Sequence, residues 1–257
     1  MLSLRESGRS DSTVRQVYTV GRAILDAAVR DGLLARNPFA AVKRPKITAA
    51  EATYLSPAQV AALLGAARPS RYAPMFELLV SSGLRRGEAL ALRWSDVDLT
   101  NGLARVRGTL SRVDGELVVT APKSERSNRT IPLSESATAV LKALKVRQAA
   151  ERLRAGSVWT ETGFVFTTEL GEPCDPRNAL RALKVAAEAA GLSGVGLHTL
   201  RHSAASVRLT NGVPLKVVSD LLGHSGISVT ADVYGHVSPD VSRTAVDVLG
   251  AALAGGR

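Results

Sequence analysis

The chain has 257 residues, 45% of them hydrophobic, with 33 lysines and arginines against 23 aspartates and glutamates, a formal net charge of +10. Such a surplus points to a polyanionic partner, nucleic acid or an anionic membrane, although a merely solubilising surface has the same composition. The single cysteine, Cys174, excludes an intramolecular disulfide and a thiolate-held metal cluster, and fits a reducing compartment.

Met1 to Glu6 lacks the basic-then-apolar start of a secretory signal, and no run resembles a membrane span. A cytoplasmic protein is expected. From Ser12 to Leu34, Val14, Val17, Tyr18, Ile24, Leu25, Ala28 and Val29 recur every three or four positions, which predicts an amphipathic helix closed by Gly32, with a turn at Asn37-Pro38. One such helix cannot bury its own apolar face, so it needs a partner surface or further helices. Residues 40–53 read as a linker. In it Lys43, Arg44 and Lys46 surround a proline, a triplet that suits a phosphate backbone as well as it suits solvent.

Ser56-Pro57 starts a helix to about Ala67, an N-cap hydroxyl followed by proline at the first helical position. A second helix is expected from Ala73 to Ser81. Gly83-Leu84-Arg85-Arg86-Gly87-Glu88 then sets two adjacent arginines between glycines at the mouth of another apolar helix. Either one of them is directed into a cleft, or both serve as caps and surface salt bridges. Trp94 to Leu99 reads as a turn. Residues 103–110 alternate as a strand and 116–120 form a second, joined by the hairpin signal Asp114-Gly115. A basic loop carrying Lys123, Arg126 and Arg129 follows, and Thr130 to Leu133 returns as a third short strand. The fold class is therefore mainly α with a small antiparallel β-sheet. Lys123 and Arg129 are placed to reach a backbone phosphate, though taken alone they are ordinary loop charges. A long helix runs from Ser134-Glu135 to about Leu153, Phe164-Val165-Phe166 is a strand or a core turn, and Pro176 to Ala190 is an amphipathic helix.

All four histidines, His198, His202, His224 and His236, fall between Leu197 and His236. Histidine exchanges protons near neutral pH, so this clustering marks a candidate active site. His198 and Arg201 are three apart and share one helical face, where a guanidinium fork suits phosphate oxygens. His202, next to Arg201, is expected to support rather than act. Gly223 ends a helix from Leu215 to Leu222 and presents His224, and Tyr234 lies in a last short element from Ile227. The histidine spacings match no zinc pattern, and acidic clusters for two-metal chemistry are missing from this stretch, so no metal is expected.

Read in order, these motifs resemble the tyrosine recombinase family, the phage-integrase type of site-specific recombinase. Arg85 in Gly83-Leu84-Arg85-Arg86-Gly87-Glu88 matches the family's first arginine. Lys123, ahead of Arg129-Thr130-Ile131-Pro132-Leu133, matches the sheet-loop lysine. His198 and Arg201 in His198-Thr199-Leu200-Arg201-His202 match the histidine and second arginine. His224 in Leu222-Gly223-His224 matches the next position, and Tyr234 matches the nucleophile. The resemblance covers about Tyr54 to His236, and more loosely Ser12 to Pro45.

It implies a DNA breaking–rejoining catalytic fold over residues 47–236, preceded by a partial helical core-binding domain and linker in 1–46. A C-terminal helix in 237–257, with the stripe Val241, Ala245, Val248, Leu249 and Ala252, would dock on a neighbouring protomer or pack back on its own domain. The implied function is a site-specific DNA recombinase or integrase working through a 3′-phosphotyrosyl intermediate, without metal, ATP or cofactor. Arg85, Arg201 and His224 would stabilise the transition state, Lys123 would protonate the leaving oxygen, and His198 would assist proton transfer or hold the phosphate. Further DNA contacts are expected from Lys43, Arg44, Lys46, Arg86, Arg126 and Arg129. The implied partners are double-stranded DNA with inverted half-sites, further copies of the chain as dimer to tetramer, and accessory DNA-bending proteins in the nucleoid. Rival readings are a type IB topoisomerase-like cleavage activity and a truncated DNA-binding protein without full recombination. Only the last helix of the family's clamp, Val14 to Leu34, is recognisable.

Overall fold

The structure is a computed structural model that describes residues 4, 6–46, 54–121, 128–224 and 226–234, excepting the side chains of residues 229 and 232–234. The chain divides into two units, Met1–Glu51 and Ala52–Arg257. In the first, helix α1 (Asp11–Arg30) begins where Ser10 Oγ accepts a hydrogen bond from Thr13 N at 3.3 Å, with Asp11 at the positive end of the helix dipole. It ends at Arg30, and Gly32 closes it at φ 75° as expected. Asn37 turns the chain back by donating from Nδ2 to Asp26 at 2.6 Å and accepting from Phe39 N at 2.8 Å. The turn lays Phe39 against Tyr18, ring centroids 5.4 Å apart, and Tyr18 Oη donates to Val42 O at 3.0 Å. Only part of the expected stripe is covered. Val14 and Tyr18 are buried, whereas Val17 and Ile24 remain exposed.

In the second unit, α2 (Pro57–Ala67) opens with a reciprocal capping box. Gln59 N donates to Ser56 Oγ at 3.3 Å, and Ser56 N donates to Gln59 Oε1 at 2.9 Å. Helix α3 (Ala73–Ser82) is the centre of the unit. Met75, Phe76, Leu78 and Leu79 are all buried, more than one helical face can accommodate, so neighbours cover it on several sides. It packs against α5 (Glu135–Ala155) and α7 (Leu197–Thr210), while α2 packs against α6 (Pro176–Ala189). Each large side chain removed from water here contributes about 1.5–3 kcal/mol. The remaining helices are α4 (Arg86–Ala91), α8 (Leu215–Leu222) and α9 (Ile227–Tyr234). No helix among the described residues is long and apolar enough to cross a membrane.

The sheet is split in two. β2 (Leu103–Val106) pairs antiparallel with β1 (Val97–Asp98) and β5 (Arg129–Pro132), while β3 (Thr109–Val113) pairs with β4 (Glu116–Thr120) in a separate sheet. The single strand expected over 103–110 breaks at Arg107-Gly108. A Cβ on Gly108 would stand 2.9 Å from Val119 Cγ1, so the second sheet closes over this point because no side chain is there. Val97 and Asp98, expected in a turn, form the edge strand. The hairpin turn is as expected, with Asp114 at φ 48° and Gly115 at φ 91°. Helix α4 lies directly on β3, where a Cβ on Gly87 would overlap Thr109 and Leu110 O. The mouth of α4 is thus fixed to the hairpin.

Away from that mouth, the buried stripe of α5 runs from Ala137, Leu141 and Leu144 into Gln148 and Glu151. Arg71 meets Glu151 through two bonds of 2.8 and 2.7 Å, and Gln148 accepts from Trp94 Nε1 at 2.5 Å while donating to Thr167 Oγ1 at 2.7 Å. Buried polar groups need such partners. Cys174 is buried nearby, and burial pushes its thiol up to about 11, which suits a core residue rather than a nucleophile.

Candidate active site

Helix α8 ends at Gly223, whose φ of 64° lies in the left-handed region. The last carbonyls of a helix have no partners within it and carry the negative end of its dipole. Three arginines from three elements take them here. Arg129 Nε, at the start of β5, donates to Leu221 O at 3.2 Å. Arg201 Nη2, from α7, donates to Leu222 O at 2.8 Å. Arg85 Nη2, from the residue before α4, donates to Gly223 O at 3.2 Å. Residues far apart in sequence therefore meet on one turn of backbone.

Like charges packed this closely need a counter-charge, and Glu88 supplies it. Its side chain is 3% exposed. Oε1 accepts from Arg85 Nη1 at 2.8 Å and Arg129 Nη1 at 3.2 Å. Oε2 accepts from Arg85 N at 2.9 Å and Arg129 Nη2 at 3.0 Å. Four donors around two oxygens fill the carboxylate's capacity. Burial by itself raises the carboxyl pKa, but the bonds from Arg129 and Arg85 outweigh it and hold the group below its ordinary range. Glu88 thus orients Arg85 and joins it to Arg129.

The two arginines expected to meet phosphate differ in access. The Arg85 side chain is 36% exposed. Arg201 is 3% exposed and also donates from Nη1 to Gly83 O at 2.6 Å, which ties α7 to the end of α3. A Cβ on Gly83 would lie 2.7 Å from Leu222 Cδ2, so α8 approaches this corner as closely as glycine permits. Arg201 thus brings a fixed charge, felt at the imidazoles of His198, His202 and His224.

His198 is exposed in the first turn of α7, and His202 stands edge-on to it with ring centroids 5.7 Å apart. Partial desolvation, followed by the charges of Arg201, Arg85 and Arg86, lowers the His198 pKa. His224 follows Gly223, and its Nδ1 is 2.7 Å from Oγ1 of the fully buried Thr230 in α9. That bond fixes the ring and joins the end of α8 to the helix that finishes at Tyr234. Desolvation, then Arg201, Arg85 and Arg129, lowers the His224 pKa to about 4. His224 is therefore uncharged at neutral pH in the free protein. The folded pKa lies below the ordinary 6.5, so the unfolded chain takes up this proton first, and stability should fall as pH drops from 6.5 towards 4. An NMR titration of the imidazole should show its midpoint near 4; a midpoint at the ordinary 6.5 contradicts this electrostatic picture.

Arg85, His198, Arg201 and His224 are thus gathered at one corner. Beside them is a cavity of about 420 Å³ lined by Asn128, Arg129, Ser219, Gly223, His224 and Ile227, among others. Arg86 is exposed at the first position of α4, and Lys43, Arg44 and Lys46 are exposed in the first unit. Lys123, Arg126, His236 and the stripe from Val241 to Ala252 lie outside the described residues, as does the side chain of Tyr234. Arg129 departs from the sequence reading. It is not a solvent-facing loop charge but the first residue of β5, 10% exposed and turned inward onto Glu88 and Leu221 O. Two participants went unrecognised in the sequence: Thr230, which holds His224, and the carbonyls of Leu221, Leu222 and Gly223. The glycine of Leu222-Gly223-His224 was the available signal, because a helix-ending glycine leaves carbonyls in need of donors.

Residues 53–240 match the model of the phage integrase family. The chain is 35% identical to a tyrosine recombinase XerC-like protein of Caldanaerobacter subterraneus, over 96% of this chain and 68% of that protein. It is 27% identical to the ICEBs1 integrase of Bacillus subtilis, over 96% and 67% of the two chains. Among solved structures it resembles the Tn1549 transposon integrase in complex with circular intermediate DNA, with a TM-score of 0.76 at 21% identity over 96% of this chain and 82% of that one. It also resembles a lambda integrase dimer bound to a core site, with a TM-score of 0.65 at 18% identity over 90% and 61%. At these identities the two structures bear on the fold, which they share with this chain.

Proposed function

The chain belongs to the phage integrase family of tyrosine recombinases, and from that premise we propose that it cleaves and rejoins DNA strands at specific sites through a covalent phosphotyrosyl intermediate. The observation that carries the reading is the corner where Arg85, Arg201, His198 and His224 converge, with α9, ending at Tyr234, attached to it by the His224–Thr230 bond.

In the proposed reaction Tyr234 Oη attacks a backbone phosphorus and the bond to the 5′ oxygen breaks. The tyrosine is left joined to a 3′ phosphate and the other strand end is a free 5′ hydroxyl. A free tyrosine has a pKa near 10, so its proton must leave as the new bond forms, to His198 or to water. Lys123 returns a proton to the departing 5′ oxygen. Negative charge grows on the two non-bridging oxygens, where Arg85 and Arg201 supply fixed positive charge and His224 a ring N–H. One ester is exchanged for another, so rejoining to a partner strand needs neither ATP nor a metal ion. The exposed Arg86, and Lys43, Arg44 and Lys46 in the first unit, would follow the DNA backbone with Arg126. Exchange between two duplexes requires copies of the chain on inverted half-sites, assembled as dimer and tetramer, with DNA-bending proteins as accessories and the nucleoid as the place of action.

The test is a nicked suicide substrate, from which the short 5′ strand end diffuses away after cleavage. Wild-type protein should give a covalent protein–DNA adduct stable in denaturing gels, and Tyr234→Phe should bind the same DNA without forming it. An adduct that persists in Tyr234→Phe, or DNA binding with no adduct in the wild type, sinks the proposal.

A further inference from the structure

From the buried contacts of its guanidinium, we infer that Arg129 is a positioning residue: it holds Arg85 and the end of α8, which presents His224, in register with strand β5. The inference rests on the strand-cleavage reading above and assigns to that reaction a residue that touches no substrate.

Among the described residues, the Arg129 guanidinium bonds inward. Its two Nη groups clasp Glu88 in the parallel fork–fork geometry, and Nε reaches Leu221 O. Glu88 uses its remaining acceptor capacity on the backbone N and the Nη1 of Arg85. The path Arg129–Glu88–Arg85 therefore runs through a single carboxylate, and the Arg85 rotamer is set by a group that Arg129 also holds. The second path runs through α8. A Cβ on Gly223 would stand 2.6 Å from Cζ and Nη1 of Arg129, so the guanidinium is packed flat against the backbone that precedes His224. Both paths meet again where Arg85 Nη2 donates to Gly223 O. Arg129 itself is anchored, because β5 pairs with the full length of β2, Arg129 opposite Val106.

An outward role would have a different cost. To reach a DNA phosphate, Arg129 would have to leave Glu88 3% exposed with half its donors gone. A lysine at this position keeps the charge but cannot span Glu88 and Leu221 O together, since its single nitrogen has no fork. Arg129→Lys therefore separates position from charge.

The experiment uses the full chain and the nicked suicide substrate, comparing wild type, Arg129→Lys and Arg129→Ala below their melting temperatures. For Arg129→Lys the single-turnover rate at saturating DNA should fall about a hundred-fold, the scale of a misplacement of about an ångström at a reacting centre. The DNA Kd and its salt dependence should stay as in the wild type. If instead the Kd weakens and the salt slope falls by about one while the saturated rate holds, Arg129 is a phosphate contact and the inference fails. If the rate loss follows the unfolded fraction and vanishes on cooling, the residue is only structural and the inference also fails. A second readout needs no cleavage. NMR relaxation of the Arg85 side-chain N–H groups in the free protein should show an ordered guanidinium in the wild type and a mobile one in Arg129→Lys. A wild type that forms no adduct would defeat the strand-cleavage reading alone; unchanged Arg85 order in Arg129→Lys would defeat the positioning role alone.

Discussion

Glu88→Ala is expected to destabilise the second unit by about 3–5 kcal/mol, the cost of breaking a buried ion pair by removing one partner. Among the described residues the carboxylate is the counter-charge that Arg85 and Arg129 share, and Arg129 is itself 10% exposed. Its loss leaves a buried guanidinium facing a void. Urea unfolding should show the change as a lower midpoint with an unchanged slope. The same carboxylate sets an acid limit. Its folded pKa is held below the ordinary 4.5, so its stabilising contribution is complete above that value and is lost as pH falls through the folded pKa. Glu88→Gln keeps the shape and one acceptor oxygen, so it should lose less stability than alanine and should remove this acid step. Equal midpoints for Glu88→Ala and wild type would mean that the arginines find other partners and that the carboxylate does not hold the corner together. Catalysis should fall in both variants even where they are folded, because Arg85 Nη1 loses its charged acceptor.

Most helices were legible because their signals are local. Ser56-Pro57 announces a capped start, and the structure adds Gln59 to it as the second half of a capping box. Gly83 and Gly223 announce ends, and both lie at positive φ. The strand over 103–110 misled because alternation reports which side chains face inward, not where the backbone changes partner. Arg105 and Arg107 keep the alternation across the Gly108 break, and only the approach of Val119 and Thr120 reveals it. Within the site, Arg85, His198, Arg201 and His224 were recognisable by motif, since each side chain carries its own chemistry. Arg129 was misread because a basic residue beside a loop looks the same whether it faces solvent or a buried carboxylate 41 positions away. The carbonyl cluster at the end of α8 was illegible for a deeper reason. Backbone acceptors are present at every residue, and only tertiary packing selects the three that become ligands for arginine.

Arg85→Ala should give the opposite balance from Glu88→Ala: a large loss of rate with a small loss of stability. Arg85 is 36% exposed, and the ion pair it forms at that level of exposure is worth at most about 1 kcal/mol. Glu88 stays paired through both Nη groups of Arg129, so no buried charge is orphaned. Removing a preorganised donor from a growing oxyanion costs about a hundred- to a thousand-fold in rate. Because that charge develops in the transition state, the saturated cleavage rate and the apparent second-order rate should fall together, with DNA affinity little changed. Arg85→Lys restores the charge but not the two directed bonds to Glu88 and Gly223, so it should recover only part of the rate. The free protein supplies an independent check. Arg85 is among the charges that keep His224 neutral, so in Arg85→Ala the imidazole midpoint should rise from about 4 towards its ordinary value. A variant that melts as wild type, titrates His224 higher and cleaves a hundred-fold slower would place the Arg85 charge at the reacting phosphate. One that cleaves at the wild-type rate would remove Arg85 from the chemistry and leave it a cap on α8.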